Sequence, residues 1–363
     1  MDPTTLTLDS AAQLEIIQAL REKLKACYVF PNIAGEICAG LQKHQSAGDY
    51  AEPVEAGQFA QSLTLHLQEV NHDEHLWVRW HPEPLSEADG QLRNNQEWQE
   101  QRVAEARLEN FGIHKVERLP GNVGYIDLRY FHRVEWGADT AMAAMSFLAN
   151  SSGLIIDLRK CAGGYPGMIA LIATYFFGEK SIHLSSIYWR DDNVTQQYWT
   201  WPYVPGKRLL KQPLYVLTSQ STFSAGEGFA SILQGRKRVV VIGEKTAGGA
   251  HPGASYRLHP HFEVFIPVGR AFDPATGRDL EGTGVTPDVC VPAEQAFLTA
   301  YHMALEKVLA GLGEPASGPH KALAEEARLA LDEQGANVQF CPLCGYQNPL
   351  SFGKCKNCEA ELK

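Results

Sequence analysis

Between residues 121 and 292, five short apolar runs, at 123–131, 154–158, 214–217, 239–242 and 262–268, are bounded by glycine or proline. Helical stretches at 141–148, 168–177 and 225–233 separate the earlier ones. A strand returns parallel to its predecessor only through a crossover of about a dozen residues or more, so this alternation predicts a mostly parallel sheet with helices on its faces. The fold class expected is α/β. In such sheets functional groups gather where a strand ends and the next helix begins.

The first 72 residues carry a different period. Leu14, Ile17, Leu20 and Leu24, and later Phe59, Leu63, Leu67 and Val70, recur at spacings of three and four, which is one face of a helix. Ser10 is placed to cap the first helix and Pro31 to open another. Leu76, Val78 and Trp80 then alternate with Trp77 and Arg79, as in a half-buried strand. The chain thus divides into a helical N-terminal domain at 1–72 and an α/β domain at 73–310, with a helical and loop connection at 86–110. The breaker-rich segment Gly311-Leu-Gly-Glu-Pro-Ala-Ser-Gly-Pro319 marks a linker, followed by one amphipathic helix, at 311–335, and a small module occupies 336–363.

With 363 residues and 44% apolar content, the chain is a globular protein of two or three domains. Its net charge of −10 and lack of a basic block argue against nucleic acid as a partner, because phosphate binding needs clustered Lys and Arg. No stretch approaches the ~20 apolar residues of a membrane span. The polar, acidic start Met1-Asp-Pro-Thr-Thr-Leu-Thr-Leu-Asp-Ser10 lacks a basic n-region and an apolar core, so a cytoplasmic protein is expected.

Eight cysteines fall into two groups. Cys27, Cys38, Cys161 and Cys290 are scattered and read as reduced thiols. Cys341-Pro-Leu-Cys344 and Cys355-Lys-Asn-Cys358 are two Cys-x-x-Cys pairs ten residues apart, the spacing of a zinc ribbon. Each pair offers two thiolates from one tight turn, and a module of ~23 residues is too small to fold on an apolar core alone. Four thiolates close a tetrahedral zinc site and leave no position for substrate, so the zinc is structural.

Ser224 stands where the apolar run Pro213-Leu-Tyr-Val-Leu217 passes through Thr218-Ser-Gln-Ser-Thr-Phe223 into the small-residue segment Ala225-Gly-Glu227. A serine at the start of a helix has its hydroxyl at a rim, and the unpaired N–H groups of the first turn face whatever it attacks. The same position also suits a plain helix cap. The run Leu154-Ile-Ile-Asp-Leu-Arg159 breaks at Gly163-Gly164, whose N–H groups could serve an oxyanion beside that of Ala225. Two of thirteen histidines compete as base: His75, in Asn71-His-Asp-Glu-His-Leu76, and His251, in Gly248-Gly-Ala-His-Pro252. Spacing alone does not choose between them.

Four ordered segments, Asp157-Leu-Arg159 with Gly163-Gly164, Thr222-Phe-Ser-Ala-Gly-Glu227, Gly243-Glu-Lys-Thr-Ala-Gly-Gly-Ala-His-Pro252 and Glu281-Gly-Thr-Gly-Val-Thr-Pro-Asp288, resemble the C-terminal processing (tail-specific) serine peptidases. More closely, the chain is similar to their interphotoreceptor retinoid-binding protein-like, tricorn-type branch, over roughly residues 10–310. The resemblance implies a helical N-terminal domain, a crotonase-like α/β catalytic domain and a peptide or protein substrate, with no catalytic cofactor. It also implies Ser224 as nucleophile. Gly249 stands where the tail-specific branch carries a lysine base, and Lys245 in the same loop is out of register. The tricorn-type pattern instead implies His75 as base and Glu281 as its orienter. Glu227, three residues past Ser224 on the same helix, is either a rival orienter or the organiser of the loop through a buried hydrogen bond. No PDZ-like insert is apparent between His75 and Val123. The branch also contains carriers, which gives the alternative of a binding protein for retinoid or another apolar ligand. Nothing in the resemblance covers the ribbon, whose expected role is to engage a partner or a second copy.

Overall fold

In a computed structural model, residues 6–85, 96–313, 318–335, 338–341, 347–349, 353–355 and 358–362 are described. They form two units: Met1–Ala104 with Ser186–Gln197 and Gly249–Gly282, and Glu105–Ser185 with Tyr198–Gly248 and Thr283–Lys363. No helix among the described residues is long and apolar enough to cross a membrane.

In the first unit, α1 (Ser10–Cys27), α2 (Pro31–Ala47) and α3 (Ala56–Gln68) follow the predicted helical periods. The cap of α1 is Asp9, whose carboxylate accepts from Ala12 N–H at 2.9 Å, while Ser10 is the first helical residue. Short strands β1 (Thr7–Leu8) and β2 (Val54–Glu55) pair antiparallel beside these helices. Ile16, Leu20, Ile37, Phe59 and Leu63 pack against Phe262, Val264 and Ile266 of an antiparallel sheet. That sheet runs β11 (Gly253–His259), β12 (Phe262–Pro267), β3 (Trp77–Trp80), with Val264 opposite Val78. Two expectations are corrected here. The run at 262–268 is no part of the parallel core, because its apolar face closes the helical unit. For the same reason the break expected at 72–73 does not divide the units, and His75, His251 and Glu281 all lie in the first.

The second unit holds a six-stranded sheet in the order β14 (Val289–Cys290), β10 (Val240–Gly243), β9 (Leu214–Thr218), β6 (Gly153–Asp157), β5 (Val123–Leu128), β4 (Ile113–Leu119). All pairings from β14 to β5 are parallel, and only the edge strand β4 is antiparallel. Every residue of β6 and β9 is buried, as strands covered on both faces must be. The crossovers are α5 (Val134–Leu148), α6 (Pro166–Thr174) and α7 (Ala225–Gly235), and α8 (Ala293–Leu312) packs on Tyr125, Ile155, Tyr215 and Leu217. Helix α4 (Gln96–Leu108) and the strands β7 (His183–Trp189) and β8 (Val194–Trp199) run from one unit to the other, and β13 (Gly269–Phe272) pairs with β7. Sequence periodicity gave no hint of β7, β8 or β13.

Helix α9 (Pro319–Gly335) is not a spacer. Ala327 and Ala330 are buried in one cluster with Leu305 and Tyr301 of α8, and Arg118 donates to both oxygens of Glu326 at 2.8 Å. Gly121, at φ +74°, lets the chain turn beneath this contact, since a Cβ there would lie 2.4 Å from Leu305. A chain ending at Gly335 should therefore melt within ~2 °C of the full chain, and one ending at Ala310 at least ~5 °C lower, as calorimetry would read.

Candidate active site

In the second unit, the turn after β9 is fastened by side chains the sequence places there. Ser219 Oγ donates to the carbonyl of Arg159 at 2.6 Å, Thr222 Oγ1 to that of Leu158 at 2.8 Å, and Phe223 N–H to that of Cys161 at 3.0 Å. The turn delivers Ser224, half-buried, to the N-cap of α7 at φ +53°, ψ −117°. A non-glycine residue there costs on the order of 1–3 kcal/mol and persists only where its surroundings fix it, as at a nucleophile elbow. Gly163 and Gly164 lie beside it at φ +113° and +131°. A Cβ on Gly163 would stand 2.8 Å from Ser224 Cβ, and one on Gly164 would strike the Phe131 carbonyl at 2.2 Å. Among the described residues, the N–H groups of Gly163, Gly164 and Ala225 donate to no backbone carbonyl. Ser224, Ala225, Gly163 and Gly164 are thus brought together as expected.

Glu227 is there too, in another role. Its Oε2 accepts from Ser224 N–H at 2.8 Å, and its Oε1 accepts from Thr246 Oγ1 at 2.6 Å and Gly248 N–H at 2.7 Å. The side chain is fully buried, so both oxygens are committed to holding the nucleophile turn and the loop at 246–248. Of the two roles expected of Glu227, rival orienter of the imidazole and organiser of the loop through a buried hydrogen bond, these bonds fit the second.

His75 and Glu281 lie together in the first unit, with Asp73 and His251. One ligand-type atom from each of Asp73, His75 and Glu281 falls within 4.8 Å of the others. His75 sits in the turn before β3, its backbone N–H donating to Asp73 Oδ1 at 3.1 Å. Asp73 Oδ2 accepts from Tyr28 Oη at 2.8 Å and lies 2.8 Å from His251 Nδ1, while Glu281 Oε2 lies 3.3 Å from the same nitrogen. Ala250 N–H fixes Glu281 by donating to Oε2 at 2.7 Å.

Burial, helped by repulsion from His251 and opposed by Asp73, pushes His75 down to about 4, so the ring is neutral at pH 7. Burial also works against charge on His251, but its bond to Asp73 and the charges of Asp73 and Glu281 outweigh that and raise it. Burial first, then repulsion from Asp73, lifts Glu281 to about 7, against the pull of His251. Asp73 and Tyr28 were missed from the sequence. The signal for Asp73 was its place two residues before His75, whereas Tyr28 reaches the site only through the fold. Lys245 is exposed.

Residues 122–291 match the family described as Peptidase family S41, and residues 6–110 match the N-terminal domain of Peptidase S41 in eukaryotic IRBP. The chain belongs to peptidase family S41. Among S41 relatives, it is 28% identical over 173 residues to a carboxyl-terminal-processing protease of Synechocystis sp., covering 47% of this chain and 39% of that protein. Over 182 residues it is 28% identical to carboxyl-terminal-processing peptidase 1, chloroplastic, of Arabidopsis thaliana, covering 49% and 35%. The chain thus spans well under half the length of these two relatives. A solved structure from Parabacteroides merdae superposes at a TM-score of 0.54, with 18% identity over 84% of this chain and 99% of that one, which shows a shared fold.

Outside the S41 matches, β15 (Val338–Phe340) and β16 (Gln347–Pro349) pair as an antiparallel hairpin. Cys341, Cys355 and Cys358 cluster, with Cys341 Sγ 3.5 Å from Cys358 Sγ. That is too long for a disulfide and close to the roughly 3.8 Å between thiolates that share a tetrahedral zinc at ~2.3 Å. The donor set fits the metal. Cys344 lies outside the described residues.

Because the folded-state value of Glu281 lies above its ordinary 4.5, its stabilising contribution is complete below about pH 4.5 and is lost as pH rises through about 7. Glu281→Gln should therefore gain on the wild type by roughly 1–3 kcal/mol between pH 4.5 and pH 7.5 in urea unfolding. A constant difference across that window refutes the assignment.

Proposed function

We propose that the protein is a serine-type peptidase acting through an acyl-enzyme on Ser224. The observation that carries this is the strained backbone of Ser224 at the start of α7, beside two glycines whose N–H groups have no backbone acceptor among the described residues. In the reaction, neutral His75 takes the Ser224 proton as the hydroxyl attacks the peptide carbonyl, then returns it to the leaving amine. Glu281 orients the imidazole and balances its charge. The N–H groups of Ala225 and of the Gly163-Gly164 turn hold the oxyanion through acylation and deacylation.

A second reading makes His251 the base, because its Nδ1 faces Asp73 and Glu281 as an oriented imidazole should. The substrate class is a peptide or protein chain. Cys341, Cys355 and Cys358, with Cys344, hold one structural zinc, and the ribbon engages a partner or a second copy rather than the scissile bond. Cys355→Ser together with Cys358→Ser should abolish the ribbon's zinc and change the folding of 336–363, yet leave small-peptide turnover, measured without added zinc, within about twofold; loss of turnover in this folded variant overturns the ribbon's independence.

The nucleophile is tested with a fluorophosphonate. Wild type should be labelled at one site and Ser224→Ala at none, with peptide turnover lost in parallel. His75→Ala should slow labelling by about 10²–10⁴-fold, and His251→Ala by less. The reverse order moves the base to His251. Equal labelling of Ser224→Ala, with stoichiometric binding of an apolar ligand and no turnover, would replace the peptidase with the carrier.

A further inference from the structure

Two carboxylates of the first unit, one buried and one mostly buried, lie together with no lysine or arginine paired to either among the described residues. Asp73 is fully buried and the Glu281 side chain 13% exposed. Among the described residues His251 alone brings positive charge to both. Glu281 Oε1 is buried and accepts no hydrogen bond among the described residues. Buried anions need pairing or a metal, since the desolvation penalty is otherwise unmet. His75, 7% exposed, completes the group with an imidazole.

We propose that Asp73, His75 and Glu281 form a metal site, distinct from the ribbon, that takes a divalent transition ion of the zinc type and silences the peptidase while occupied. Imidazole and carboxylate oxygens are the ligands such ions prefer. Ligand atoms around one zinc at 2.0–2.2 Å stand roughly 3.3–3.6 Å apart, so a group already within 4.8 Å closes by side-chain adjustments of about 1 Å. Three protein ligands leave a fourth position for water. Tyr28 and His251, both on Asp73 Oδ2, orient that carboxylate as outer partners of metal ligands do. A metal on His75 occupies the lone pair that would accept the serine proton. The site follows from the cluster itself, and only its silencing effect rests on His75 and Glu281 as base and orienter.

The test uses the full chain carrying Ser224→Ala, so that turnover plays no part in the binding measurement. Zinc is titrated against a chelating dye, with and without Asp73→Asn, and the expected result is one equivalent fewer in the second protein. Taking the difference cancels the ribbon's zinc. Cobalt(II) on the intact protein should give, beside the ribbon's thiolate charge transfer, visible bands of nitrogen and oxygen ligation that vanish in Glu281→Gln. This spectrum decides should Asp73→Asn fail to fold. Equal zinc stoichiometry in the two folded proteins, or a cobalt spectrum of thiolate ligation alone, overturns the site. In wild type, saturating zinc should slow fluorophosphonate labelling at least tenfold, reversed by a chelator. Bound zinc with unchanged labelling overturns the silencing and puts His75 in doubt as base, whereas absent labelling in zinc-free wild type rejects the peptidase and leaves the metal site standing.

Discussion

The turn that carries Ser224 depends on one buried carboxylate. Glu227 collects a backbone N–H from the strained residue Ser224, a hydroxyl from Thr246 and a backbone N–H from Gly248, so a single side chain joins the start of α7 to the loop after β10. Bonds to a charged acceptor are about twice as strong as neutral ones, and in a dry site they reinforce one another. Thr246 passes the constraint on by accepting from Val285 N–H at 2.7 Å, which ties in the chain before β14. A serine whose backbone conformation is unfavourable by itself is held there because three chain segments would lose hydrogen bonds if it relaxed.

The first unit uses a carboxylate differently. Asp73 also accepts three times, from Tyr28, His251 and the N–H of His75, but its neighbours are titratable. The charge it carries raises His251 and Glu281 and opposes the fall of His75. Glu227 therefore fixes geometry, whereas the charge of Asp73 shifts the titration of its neighbours. Groups pushed apart in this way mark sites of chemistry more often than sites of packing, though ion-pair networks do the same.

Much of the fold was legible because buried parallel strands write themselves as continuous apolar runs, as at Leu154-Ile-Ile and Leu214-Tyr-Val-Leu217. Ser224 was legible because a turn between such a run and a small-residue helix leaves little freedom. The run at 262–268 misled, since period and composition do not say which sheet a strand joins, and its partners β3 and β11 are fixed by packing on α1 to α3. Glu227 was left open between two roles for a related reason: three residues past Ser224 it could face the serine or brace the loop, and only the positions of Thr246 and Gly248 reveal that its oxygens are already engaged. Tyr28 was out of reach, lying 45 residues from the aspartate it binds.

The docking of α9 has a consequence for reach. Three residue steps separate its last turn at Gly335 from β15 at Val338, and a chain that short extends no more than about 11 Å. The C-terminal module is leashed to the helix that Arg118 and Ala327 hold against the sheet. A partner bound there, as proposed, would be confined near the parallel sheet at an effective concentration in the millimolar range, so that a weak grip would suffice where free diffusion would demand a tight one.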